Sequence, residues 1–140
     1  MPVVVVFSRE TSTAEFLKRA LDSAGFAAFT APAVLAELDG FVHAIHPHAV
    51  VVDMTLATEA LWQELLRVRG RPTWDDDVPM VLTTAEESGL KRWMTGPLAG
   101  ASPVVELLTH ADDLRKLRTA VDSAVHGRRT ASGIGRPPPS

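Results

Sequence analysis

Val3-Val4-Val5-Val6-Phe7 and Val50-Val51-Val52 are uninterrupted apolar runs, β-branched apart from one ring. A strand with one face in water alternates apolar and polar residues. A run without alternation needs cover on both faces, the condition of a central strand in a parallel sheet. Parallel strands need a crossover between them, usually a helix. Helical segments stand where that requirement puts them.

Ser12, with Glu15 three residues later, has the form of a capping box, and Leu17, Ala20, Leu21 and Ala24 recur at helical spacing up to Gly25. The spacing predicts a helix over Thr13 to Ala24. Phe26 to Thr30 reads as a short second strand. Pro32 suits the first turn of a helix with Leu35, Leu38, Val42 and Ile45 on its apolar face, and Pro47 stops it. The third strand ends at Asp53, and Leu61, Leu65 and Val68 mark a third helix closed by Gly70. A loop through Trp74 and Asp75-Asp76-Asp77 leads to Met80-Val81-Leu82, the fourth strand. Glu86 to Met94 is a short helix cut by Gly96-Pro97, and Val104-Val105 is the fifth strand. A last helix opens near Ala111-Asp112, carries Leu114, Leu117, Val121 and Val125 on one face, and spaces Asp112 from Lys116 as an i, i+4 pair. The expected fold is α/β: a five-stranded parallel sheet with helices on both faces and ligand chemistry at the carboxyl ends of the strands.

Composition narrows the function classes. At 140 residues, 46% apolar and 22% charged, the chain matches one packed domain and excludes wholesale disorder. Its longest apolar run is far below the ~18 residues that span a bilayer. No basic stretch or small-residue cleavage site follows Met1-Pro2, so a cytoplasmic location is expected. With no Cys, thiol nucleophiles, disulfides and thiolate metal sites are excluded. Of 14 basic and 17 acidic residues, three Arg and no acid fall in 128–140, so the body holds 11 against 17, a charge of −6. An acidic body argues against a nucleic-acid platform. The Pro-, Gly- and Ser-rich end reads as a disordered tail over 127–140, following a domain over 1–126.

At the strand ends stand Ser8, Arg9 and Glu10; Asp53; Thr83 and Thr84; and Glu106 and Leu107. The five-fold β/α alternation, Pro47 leading into Val50-Val51-Val52-Asp53, and Pro79-Met80-Val81-Leu82-Thr83-Thr84-Ala85 together resemble the response-regulator receiver domain of two-component signalling. Ala24-Gly25-Phe26 and Ala99-Gly100-Ala101 are similar to that family's turns before strands two and five, so the resemblance covers residues 3 to about 126. It implies the flavodoxin-like receiver fold and a role in signal transduction. Asp53 takes the position of the phosphoacceptor. Ser8 and Arg9 fall on the acidic pair that holds Mg²⁺ in the family, Thr84 on the hydroxyl that contacts the phosphoryl group, Leu107 on the neutralising Lys and Val104 on the aromatic switch residue.

Four departures cluster at one function. Phosphoryl transfer depends on positioning and on cations that neutralise the equatorial oxygens. Ser8 and Arg9 supply no anionic metal cage, and Glu10 stands one residue beyond. A guanidinium at Arg9 and a carboxylate at Asp53 have the charges for a clasp between adjacent strand ends. The expected function is therefore a stand-alone, non-enzymatic pseudo-receiver with Asp53 vestigial, no cofactor and a protein partner, a second copy of the chain among the candidates. Its docking face is placed at Trp93, Val104 and Val105. The alternative is a working phosphoacceptor that uses Asp53, Thr84 and Glu10 with an unusual Mg²⁺ site.

Other features carry less. His43, His46 and His48 have imidazoles at close spacing, but Pro47 divides them, so surface histidines are expected. Asp75-Asp76-Asp77 lacks the spacing of a calcium loop. Trp62 reads as helix packing, and Trp74 as either a core residue or an anchor. Ser8 to Thr13 offers hydroxyls near a helix start but no Gly for a flavin or phosphate loop. Arg128-Arg129-Thr130-Ala131-Ser132 has the outline of a basophilic kinase site, and Pro137-Pro138-Pro139 that of a polyproline II ligand.

Overall fold

β1 (Val3–Phe7), β2 (Ala27–Thr30), β3 (Ala49–Asp53), β4 (Met80–Thr84) and β5 (Val104–Glu106) are parallel and lie in the order β2-β1-β3-β4-β5. This is the order of flavodoxin-like doubly wound sheets. The computed structural model describes residues 1–55, 58–75, 77–84, 104–106 and 111–134, the backbone alone for 104–106, 111–113 and 127–134. Among these residues the helices are α1 (Thr11–Ser23), α2 (Leu38–Ile45, entered through a 3-10 turn at Leu35–Glu37), α3 (Glu59–Arg69) and α4 (Ala111–Ile134). The helix expected over Glu86 to Met94, with Trp93, lies outside the described residues, as does Leu107.

Both faces of the central strands are covered, as their unbroken apolar runs require. Val5, Phe7, Val50, Val52, Met80 and Leu82 pack under α2 and α3 with Leu38, Val42, Leu65, Val68, Trp62 and Trp74. Val4, Val6, Val51 and Val81 pack under α1 and α4 with Leu17, Leu21, Leu117, Val121 and Val125. Each such side chain contributes roughly 1.5–3 kcal/mol by leaving water. Trp74 belongs to the core, with its Nε1 donating to the Val78 carbonyl at 3.3 Å and the Arg69 guanidinium 5.2 Å from its ring centre.

Helix ends follow local chemistry. Gly25, at φ 98°, ends α1 in a Schellman motif: its N–H donates to Asp22 O, and the Phe26 N–H reaches back to Leu21 O. His46 closes α2 in the left-handed region, because Pro47 bars the residue before it from continuing the helix. Two starts differ from expectation. The α1 helix opens at Thr11 with Glu10 as its cap residue and no side-chain cap, so the capping box at Ser12 does not form. Ser8 Oγ instead accepts from the Glu10 N–H at 3.1 Å, and the Glu10 carbonyl accepts from Ala14. Pro32 lies outside α2, which is entered at Leu35. At the other end of the chain the α4 backbone runs on to Ile134, past the boundary expected at His126. The helix passes through Gly127 and Gly133, and Gly135 and Pro137 follow its end.

One buried carboxylate ties the loop after α3 to α2. Asp39, 7% exposed, accepts from Arg71 Nη1 at 2.9 Å and from the Thr73 hydroxyl, and the same guanidinium nitrogen donates to Ala36 O at 2.9 Å. Burial opposes ionisation of Asp39, but the Thr73 hydroxyl and the Arg71 guanidinium outweigh it and hold the carboxyl below its ordinary value. A carboxyl lowered by folding contributes stability above its unfolded value and loses it as pH falls through the folded one. Asp39→Asn is therefore expected to lower the urea-unfolding free energy at pH 7 by about 1–2 kcal/mol, the low end for charged hydrogen bonds because Arg71 is partly in water. The difference from the unsubstituted protein should close as pH drops below about 3.9.

Candidate functional site

Side chains alternate between faces along a strand, so the first polar residue after each apolar run falls on a face set by parity. Val6, Val51 and Val81 all face α1 and α4, and two residues further on stand Ser8, Asp53 and Thr83. Register does the rest. Phe7 lies opposite Val52, which brings Ser8 level with Asp53, and Asp53 lies opposite Thr83. Three adjacent strand ends thus deliver two hydroxyls and a carboxylate to one point.

The three are buried, at 2%, 9% and 0% exposure respectively. Asp53 Oδ2 accepts from Ser8 Oγ at 3.3 Å, and Oδ1 accepts from Thr83 Oγ1 at 3.0 Å and from Thr55 Oγ1 at 2.9 Å. The Met54 N–H continues the ladder onto Thr83 O at 2.8 Å, holding the turn after β3 against β4. Because Ser8 Oγ also accepts from the Glu10 N–H, a relay of two hydrogen bonds links the first turn of α1 to the carboxylate. Both carboxylate oxygens are in this way engaged by neutral donors.

The expected site residues separate here. Thr83 supplies the hydroxyl on Asp53, whereas alternation turns Thr84, the position indicated by resemblance, to the opposite face, where it is fully buried. Thr55 is an addition from the structure, with the sequence signal of a hydroxyl two residues past an acid, the spacing of a local side-chain bond. Arg9 and Glu10 are exposed at the start of α1. Val104 and Val105 pair with Leu82 and Thr83 in β5, at the edge of the sheet. His43 and His46 are exposed with ring centres 5.7 Å apart, and His48 Nδ1 accepts from the Val3 N–H at 3.0 Å. Among the described residues no group of three or more His, Asp or Glu side chains is placed to hold a metal ion.

The magnesium ion implied by the resemblance does not fit this donor set. Mg²⁺ takes carboxylates, phosphate oxygens and water in a near-ideal octahedron. At the three strand ends the side chains are Ser8, Asp53 and Thr83, and the Asp53 carboxylate already accepts three hydroxyl hydrogen bonds.

No family model and no curated protein matches the sequence. Solved structures do match. A response-regulator receiver domain protein from Clostridium thermocellum superposes with a TM-score of 0.71 at 14% identity, over 92% of this chain and 98% of its own. The chemotaxis protein CheY4 of Vibrio cholerae gives 0.65 at 20% identity over 86% and 98%, and the receiver domain of Francisella response regulator 1452 gives 0.67 at 16% over 91% and 98%. The fold is that of a receiver domain. Within a receiver fold, Asp53 stands at the carboxyl end of the central strand β3, and among the described residues no helix is long and apolar enough to cross a membrane.

The hydroxyl clasp has a measurable stability consequence. Thr83→Val removes one donor from a buried carboxylate while keeping side-chain shape, and is expected to cost about 1–3 kcal/mol in urea unfolding. Thr83→Ser, which keeps the hydroxyl, should recover most of that loss.

Proposed function

We propose that this chain is an atypical receiver that transmits a signal by binding another protein, without phosphorylation of Asp53 and without enzymatic activity. The observation that supports this reading is the Ser8 hydroxyl donated to Asp53. Where a phosphoacceptor needs neighbouring carboxylates to hold a cation, this carboxylate has a neutral donor that occupies one of its oxygens. A phosphoryl group arriving at Asp53 would meet hydroxyls and no metal, and hydroxyls do not neutralise charge on the equatorial oxygens. The two lost acids and the Leu at position 107 act in the same direction. The edge strand β5, with Val104 and Val105, and Trp93 beyond the described residues form the docking face in this reading.

The phosphoacceptor alternative keeps Asp53 in its place at the end of β3 and draws on Glu10 and Thr84. Intact mass after incubation with acetyl phosphate, with and without Mg²⁺, separates the two. The protein should carry no phosphoryl adduct under either condition, and Asp53→Asn should give the same spectrum. A Mg²⁺-dependent adduct that Asp53→Asn abolishes would establish the alternative instead.

A further inference from the structure

The other surface that departs from an ordinary solvated face lies between α1 and α4. A groove of about 580 Å³ runs there, floored by Leu21 and Leu117, flanked by Phe16 and Leu114, and rimmed by Arg19, Arg115 and Arg118. Among the described residues its lining holds three arginines and no acid, in a protein whose net charge is −3. Phe16 is 48% exposed on the α1 side, although the next residue, Leu17, is wholly buried. A half-exposed ring beside an apolar floor is the anchor geometry of helix-in-groove recognition, and the arginine rim sets the charge of what docks. Arg19 and Arg118 are both exposed at the rim.

We infer that this groove binds an acidic amphipathic helix of a partner protein, with apolar side chains seated between Phe16, Leu21 and Leu117 and carboxylates on Arg19 and Arg118. The inference rests on the reading of the chain as a protein-binding module and does not depend on the state of Asp53. Charge decides among occupants. A two-fold dimer through this face would set the arginine rims of both copies against each other, and the chain's own end, with Arg128, Arg129 and Arg136 and no acid, is repelled for the same reason. An acidic helix gains on both counts, through steering from a distance and through charge-assisted hydrogen bonds on contact.

The test is fluorescence anisotropy of a labelled helical peptide with a leucine face flanked by glutamates, titrated with the full chain, beside a control peptide carrying lysines in place of the glutamates. The glutamate peptide should bind and weaken as salt is raised, and the lysine peptide should not bind. Arg19→Glu with Arg118→Glu should weaken binding roughly tenfold or more. Phe16→Ala and the milder Arg19→Gln should each weaken it less, with the helical circular dichroism of every variant unchanged. Equal binding of both peptides, no binding of the glutamate peptide, or binding indifferent to these substitutions overturns the inference. Self-association seen by sedimentation and abolished by the Arg19→Glu, Arg118→Glu pair also overturns it, in favour of a second copy. A phosphoryl adduct on Asp53 with peptide binding intact would remove the phosphorylation-independent reading alone, whereas loss of peptide binding without an adduct removes only the groove.

Discussion

A parallel sheet buried on both faces is the constraint on which the rest of this molecule depends. Once Val3–Phe7, Ala49–Asp53 and Met80–Thr84 lie side by side with both faces covered, polar groups can enter only where the apolar runs stop. The parity of the strands then assigns each entering residue a face. Ser8, Asp53 and Thr83 share one face and one level, so their meeting follows from register, without any loop having to fold back to bring them together. The same geometry in a receiver fold gathers acids and a phosphoacceptor. Here it gathers hydroxyls around one carboxylate.

Much of this architecture is legible in the sequence because its signals are local. The valine runs, the helical spacing from Leu17 to Ala24, the stop at Gly25 and the break at Pro47 each state a conformational requirement within a few residues. The carboxylate network of Asp39, Arg71 and Thr73 is not legible, since Asp39 in a sequence is one more helix-surface acid, and only the contact across 32 residues reveals it as buried. The start of α1 differs from the expected Thr13 for a related reason. Ser12 has the form of a cap, but Ser8, drawn toward Asp53 by tertiary structure, organises the turn and lets the helix begin at Thr11. At the strand ends, position along the chain places Asp53 and Ser8, whereas which of Thr83 and Thr84 meets the Asp53 carboxylate depends on the face of the sheet.

The charge distribution separates two regions of the protein. At the strand ends a carboxylate is engaged by neutral hydroxyls in a buried setting, where adding or removing charge is costly. On the α1 and α4 face, exposed arginines, with no acid among the described lining residues, border an apolar floor, where in the reading proposed here an acidic partner gains by displacing only water and counter-ions. A chemical switch needs the first region to tolerate a change of charge. A binding module needs only the second to persist.

The clasp and the groove are joined by α1. Its first turn hangs from Ser8, which is held by Asp53, and its later turns line the groove with Phe16, Arg19 and Leu21. In a receiver that cycles, movement at the phosphoacceptor is what the surface reports. In the reading proposed here Asp53 stays engaged by Ser8, Thr55 and Thr83, so the hydrogen bonds at the site hold the start of α1 in one position, and a helix fixed at one end presents its other side chains in a fixed array. In the reading proposed here, the residue that served as a switch in a phosphoacceptor serves as an anchor, and a preformed groove binds without first having to be ordered.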